Sequence, residues 1–435
     1  MVVVVIVPIL IAIPFSTAQQ PFFSSKRCHT EKIGRLRQCH FENLCLKNDQ
    51  LTYFTGTRSN HGRQVVEPLS ISGVPEHNGT LLSYEMRFPH PPESIHENIS
   101  WITGETLWMR RFLPSNVMHA LHDDVMPLYA TLHSVIAALT PVRLVVFGDA
   151  FEDVGLDAYG FLTVLTEKYR VAFVHASQLD SPNALVCFRR LSVGLSGDTL
   201  FYDYGFTAAQ GPRHIDLRRT SQRWRSFVRQ YTELHSAELK ASDEITDSGS
   251  GCRLLLLDRQ STRLILNRQE LIETLAVHCG CIVRVVSIER YRIVEIIDRI
   301  RWANVIVGMH GALLALVAFA ADSAETLLLE IFPYAVDPAN ITPYRTLSSL
   351  IALDYAAIET RHSWRSVGHP TFPPEHGGIA DLPPEKREKI LTQSTVGTFL
   401  CCANRAWLYR IFQDTSVDVR SIAELLERRG KCRDS

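Results

Sequence analysis

The chain carries no surplus of either charge: 45 Lys and Arg face 46 Asp and Glu, a formal net charge of -1 over 435 residues. That balance leaves no basic footprint for nucleic acid, and no RNA- or DNA-binding motif occurs, so nucleic acid is set aside as a partner. A full membrane-spanning stretch is missing as well, because the apolar run from Val2 to Phe15 is shorter than the roughly 20 residues that a spanning helix needs. No G-x-G-x-x-G follows a strand pattern and no P-loop sequence is present, which removes two common phosphate fingerprints. Cys279-Gly280-Cys281 and Cys401-Cys402 lack a second pair at zinc-ligand spacing, and there is no thioredoxin-like motif, so no metal site is assigned.

What is present begins with that apolar run. Ser16-Thr17-Ala18 follows it as a small-residue cleavage pattern, and residues 1–18 read either as a signal peptide or as a short signal anchor. Both send the chain into the secretory pathway. Three acceptor sequons, at Asn78, Asn98 and Asn340, agree with that route, as do ten cysteines whose early members Cys28, Cys39 and Cys45 cluster. Disulfides are expected, with a pairing that spacing alone leaves open.

A chain of this length is too long for one ordinary core, so two domains are expected, over residues 19–241 and 252–390. Residues 242–251, rich in Ser, Asp and Gly, read as the linker, and 391–435 as a helical C-terminal segment. Residues 20–100 look like a loop-rich entry with a few strands. A helix then opens at Asn116, with Met118, Leu121, Val125, Leu128 and Leu132 at helical spacing. This puts His119, His122 and Asp123 together beside an apolar stripe. Two readings stand: a local capping and pairing network, or a carboxylate framed by imidazoles that takes a proton, with Asp123 preferred to Asp124.

The second half has the plainest rhythm. Strands over 253–257, 282–286, 305–307 and 326–331 alternate with helices over 268–278, 291–302 and 312–320, which predicts a parallel α/β sheet covered on both faces. Ligands in such sheets sit beyond the carboxyl ends of the strands. There the sequence places Arg259 and Arg263 after one strand, and His310, Gly311 and Ala312 after another. Two guanidinium forks, a histidine and a helix N-terminus at one rim suit a diphosphate. Solvated loop arginines and a histidine in an ordinary turn are the plainer alternative.

At this point the residues become familiar. Asn116 to Pro127, Val193-Gly194-Leu195-Ser196, Gln210-Gly211-Pro212, Arg263 to Asn267, Met309-His310-Gly311-Ala312, Glu330 to Val336, Thr342-Pro343-Tyr344 and Trp407 to Thr415, in this order, resemble glycosyltransferase family 61, specifically its O-mannose-extending branch. The likeness runs from about Cys28 to the C-terminus. It implies a GT-B type fold, two Rossmann-like domains facing across a cleft, with the acceptor side in the first and the donor side in the second. It also implies an inverting transfer of N-acetylglucosamine from UDP-GlcNAc to O-linked mannose on glycoproteins. Lodging in the endoplasmic reticulum as a type II membrane protein is part of the same implication, with a homo-oligomer left open.

No Asp-x-Asp motif of the metal-binding transferases occurs, so no cofactor or metal is expected and Arg259, Arg263, His310, Gly311 and Ala312 are read as donor-binding. Asp123 is read as the base, with His122 and His119 as orienters or acceptor contacts. The O-mannose-extending branch carries a fibronectin type III module after the catalytic region, and no such module is expected within these 435 residues. The chain departs from the family also at Leu313, at Asp258 and at Ala321-Asp322-Ser323, all expected near the donor rim. These departures keep two alternatives alive: a UDP-sugar transferase with another acceptor, and a glycan- or nucleotide-sugar-binding protein without turnover.

Overall fold

A computed structural model describes residues 23–30, 37–67, 69, 71–73, 81–88, 98–136, 141–149, 155–180, 184–205, 210–213, 215–240, 251–397 and 404–432. The expected leader over 1–18, the sequon at Asn78, the linker up to 250 and Cys401-Cys402 lie outside the described residues.

Two large sheets form, one from each half of the chain. The first is a nine-stranded mixed sheet of β1 (Ser25–Thr30), β2 (Arg37–Lys47), β3 (Gln50–Phe54), β4 (Arg63–Glu67), β5 (Leu82–Arg87), β6 (Asn98–Met109), β7 (Leu144–Phe147), β8 (Ala172–His175) and β9 (Ala184–Val193). Its order is β4-β5-β3-β2-β9-β6-β7-β8, with β1 paired to β2. The entry segment is thus more regular than its composition led us to expect. In β2, Cys39 and Phe41 are buried while His40 between them is exposed, an alternation that only the pairing with β9 makes worthwhile. Disulfides Cys28–Cys39 and Cys45–Cys187 cross-link partners in register on β1–β2 and β2–β9.

A short hairpin, β10 (Tyr202–Asp203) with β11 (Gly211–Pro212), precedes the second sheet. That sheet joins β12 (Arg253–Leu257), β13 (Ile282–Val286), β14 (Val305–Met309), β15 (Leu327–Phe332) and β16 (Asp354–Glu359), all parallel, in the order β13-β12-β14-β15-β16. Every residue of β14 and β15 is buried, as a strand covered on both faces requires. The chain leaves β12 in one direction and returns to its other side as β14, so the ends of these neighbours form a topological switch point. Disulfides Cys252–Cys281 and Cys279–Cys432 close the opposite edge, which accounts for the Cys279-Gly280-Cys281 pattern.

Two local structures differ from expectation. The segment after Gly311 is a 3₁₀ helix, Ala312–Phe319, and not an α-helix. From Leu313 to Phe319 it is buried throughout, so packing on all sides, and not an amphipathic stripe, sets its winding. The helix from Val117 contains a π-turn, Ala120–Val125, before continuing as Met126–Ile136. Pro127 explains it: a proline cannot donate to the carbonyl four residues back, that of Asp123, and its ring crowds that oxygen. Gly73 packs against the same carbonyl, where a Cβ would lie 2.0 Å from the oxygen.

One apolar core runs between the sheets. It includes Met118, Phe161 and Tyr231 from the first half and Leu257, Leu313 and Phe319 from the second, and Phe161 stacks on Phe319 at 6.1 Å. Among the described residues no helix is long and apolar enough to cross a membrane.

Candidate functional site

The π-turn gathers the three residues that the helical spacing pointed to. His119 Nδ1 lies 2.6 Å from one oxygen of Asp123, and His122 Nδ1 lies 2.5 Å from the other. His122 Nε2 accepts the Phe201 amide at 3.1 Å, so its proton sits on Nδ1 and is donated to Asp123. Burial pushes the Asp123 carboxyl up, but the two imidazoles outweigh it and hold the group well below the usual carboxylate range. Burial lowers His122, with Asp123 offsetting this only in part, and the ring is neutral.

Asp123 is fully buried with both oxygens engaged, whereas His119 is the member of the cluster that retains some exposure, 8%. Phe112 and Tyr204 flank its ring at 5.0 and 4.9 Å, and the Tyr204 hydroxyl stands 3.1 Å from His122 Nδ1. Asp124 belongs to a different environment. Its Oδ1 accepts the Phe112 amide at 3.1 Å, and burial, followed by the charge of Asp123, raises its pKa well above the carboxylate range.

The switch point holds the second group. Gly311 has extended backbone that any residue could adopt, so its value is space: a Cβ there would meet Arg263 Nη1 at 2.9 Å and Arg259 Nη1 at 3.4 Å. Both guanidinium groups therefore converge on it. Arg263 Nη1 donates to the His310 carbonyl at 3.0 Å, its Nε is buried without a partner, and its cation lies 4.7 Å from the Phe412 ring centre. Arg259 Nε donates to the Thr262 carbonyl. Among the described residues no carboxylate pairs with either cation. Burial, and then the neighbouring Arg259, pull the Arg263 pKa down to about 9.

His310 leaves the end of β14 with its Nδ1 2.5 Å from Glu330 Oε1, its ring stacked on Phe332 at 5.2 Å and facing Tyr344 at 5.5 Å. These arginines open onto a cleft of about 500 Å³. Ser115, Asn116 and Val117 line it from the first half of the chain, and Ala312, Leu313, Phe372, His376 and Phe412 from the second. The first turn of the His119 helix, capped by Asn116, packs against the 3₁₀ segment, so the start of that helix reaches the cleft while His119, His122 and Asp123 are not among the residues that line it.

Of the departures noted in the sequence, Leu313 does line this cleft. Asp258 does not point there but is buried and paired with Arg268. The Asp322 loop forms a local turn, with the Asp322 carbonyl accepting from the Thr326 hydroxyl. Asn340 is exposed, its Nδ2 donating to Asp337, and Asn98 begins β6. Sequence reasoning missed Glu330, Tyr204, Phe372 and Phe412. Glu330 carried a usable signal, as the single charge in the apolar strand Leu327–Phe332, and Phe412 lies within the Trp407 to Thr415 stretch that carries the resemblance; Phe372 carried none.

Comparison with known proteins bears on this geometry. The profile described as Glycosyltransferase 61 matches residues 112–327. The chain is 32% identical over 412 residues to mouse protein O-linked-mannose beta-1,4-N-acetylglucosaminyltransferase 2, covering 92% of this chain and 68% of the relative. The proteins of the same description from Takifugu rubripes and Homo sapiens are also 32% identical, over 424 and 412 residues, covering 94% and 92% of this chain and 69% and 68% of theirs.

Proposed function

The chain belongs to glycosyltransferase family 61, and from that premise we propose that it transfers N-acetylglucosamine from UDP-GlcNAc to O-linked mannose on glycoproteins, with inversion. The observation that carries the donor assignment is the convergence of two guanidinium groups on Gly311, where among the described residues no carboxylate pairs with either and Glu289 acts on Arg259 only from a distance. Two partly buried cations side by side repel each other, so a site of this kind suits a ligand with two negative phosphates.

Arg259 and Arg263 hold the diphosphate, aided by the start of the 3₁₀ segment, and the aromatic end at Phe372, His376 and Phe412 takes the base. As the acceptor hydroxyl forms its bond to the anomeric carbon, the bond to the phosphate oxygen breaks and the charge developing on UDP falls to the two arginines. The hydroxyl proton goes to His119. Asp123, with no free oxygen, serves as its orienter and stabilises the imidazolium that forms, which exchanges the roles expected from spacing alone. His122 holds Asp123 in place from the buried side.

In this reading residues 19–241 and 252–390 are the two Rossmann-like halves of a GT-B enzyme, joined by the linker at 242–251, and 391–435 braces the second. Four disulfides among the described residues and the exposed sequon at Asn340 support a route through the oxidising secretory pathway; residence in the endoplasmic reticulum and anchoring by the N-terminus belong to the proposal through the family resemblance alone. The test is to incubate the full chain, made in a secretory host, with a panel of UDP-sugars and an O-mannosyl peptide, and to read product mass. Addition of one N-acetylhexosamine from UDP-GlcNAc alone is expected. Transfer of another sugar, or UDP binding without any transfer, would overturn the assignment.

A further inference from the structure

Arg263 has a backbone φ of 58°, in the left-handed region that a residue with a side chain seldom adopts unless its neighbours hold it there. The holders come from far along the chain. One oxygen of Asp414 accepts the Leu264 amide at 2.8 Å, and the next residue closes the pairing, with Thr415 N donating to the Leu264 carbonyl and Leu266 N to the Thr415 carbonyl at 2.8 and 2.9 Å. The other Asp414 oxygen is 2.8 Å from His369 Nε2, and the His369 ring stacks at 4.2 Å on Phe372, which lines the cleft. Phe412, two residues before Asp414, is the ring beneath the Arg263 cation. A strand pair, β17 (Ser366–Val367) with β18 (Asp414–Thr415), fixes the segment from its other edge.

We propose that Asp414, anchored by His369, is a positioning residue for donor binding: it clamps the loop before Leu264 so that the Arg263 guanidinium stays over Phe412 and faces the diphosphate. Asp414 is 5% exposed and points at a backbone amide, so it touches no substrate and acts through Arg263 alone. Without it the Leu264 amide loses its acceptor, the left-handed turn relaxes and the guanidinium leaves its platform. This rests on the donor reading above and adds to it a segment about which the anion site is arranged.

The experiment is calorimetry with UDP on the full-length wild type, Asp414→Ala and Asp414→Asn, together with steady-state kinetics and melting temperatures. Asp414→Ala is expected to weaken UDP and raise the donor KM by about tenfold, the scale of one charge-assisted hydrogen bond, with kcat and the acceptor KM unchanged. Asparagine keeps an oxygen for the Leu264 amide and should restore most of the affinity, which a loss of general stability would not predict. Should the alanine variant fail to fold, His369→Gln, which removes only the outer anchor, is expected to raise the donor KM alone by a smaller factor. Wild-type UDP affinity in Asp414→Ala, or in His369→Gln where that stands in for it, would overturn the positioning role while leaving the donor reading intact. Failure of the wild type to bind UDP would overturn both.

Discussion

His310 Nδ1 and Glu330 Oε1 stand 2.5 Å apart at the ends of adjacent parallel strands, and the second oxygen of Glu330 accepts the Tyr355 hydroxyl at 2.6 Å. The carboxylate therefore sets which imidazole nitrogen carries the proton and fixes the orientation of the ring. Glu330→Gln keeps the volume but offers one donor and one acceptor where two acceptors stood. Turnover is expected to fall by roughly tenfold or more, as for other carboxylates that orient a functional histidine. Rates at saturating donor, measured beside UDP affinity by calorimetry, check this; equal loss in affinity would assign Glu330 to binding.

Arg263→Lys should fail to rescue what Arg263→Ala loses. A lysine presents a point charge on a flexible stem and cannot reproduce a planar fork over the Phe412 ring. Both variants are expected to lose about 1.5–3 kcal/mol of UDP binding. Because the wild-type cation is partly buried without a paired carboxylate, the alanine variant should also melt no lower than wild type in the absence of ligand. Calorimetry and thermal melts on the same samples decide both points.

His119→Ala should lower transfer by roughly the 10²–10⁴-fold of a lost general base while UDP affinity stays at wild type. Asp123→Asn replaces a fully buried acceptor of two imidazole protons by a group with only one oxygen, so it should lower transfer and stability together, the latter by about 1–3 kcal/mol. Full transfer by a folded His119→Ala enzyme would return the proton to Asp123 or His122.

Asp124 supplies a pH test whose sign is set. Its folded pKa is raised, by burial first and then by Asp123, so the stability tied to its neutral form is fully present below the unfolded value of about 3.9 and is lost as pH rises toward the folded pKa. Asp124→Asn removes that penalty. It should raise the melting temperature at pH 7 by roughly 2 °C and leave it unchanged near pH 3, where the carboxyl is neutral in both states. An equal shift at the two pH values would show that packing, and not ionisation, is responsible.

Much of this was legible in the residues themselves. The parallel second sheet followed from β-branched and leucine-rich strands alternating with helices, because a strand covered on both faces has no polar side to show. The convergence of Arg259 and Arg263 on Gly311 followed from their standing at the ends of strands that become neighbours. The His119, His122 and Asp123 cluster followed from helical spacing, although Pro127 converted that turn to π form and burial then took both oxygens of Asp123. Spacing along a helix reports which side chains meet; it does not report which of them solvent and ligand can reach.

The entry half of the nine-stranded sheet was barely visible, since β2 takes its place at the centre only by pairing with β9, far along the chain. The clamp on Arg263 was not visible at all. Leu264 and Asp414 are separated by 150 positions, and neither residue type announces a ligand site by itself. Local sequence determined the chemical groups and the strands that present them, because propensity and periodicity act over a few residues. Which acid is buried and what holds an arginine in a left-handed turn were decided only when remote segments packed against one another, since burial and long-range hydrogen bonds do not exist until the chain has folded.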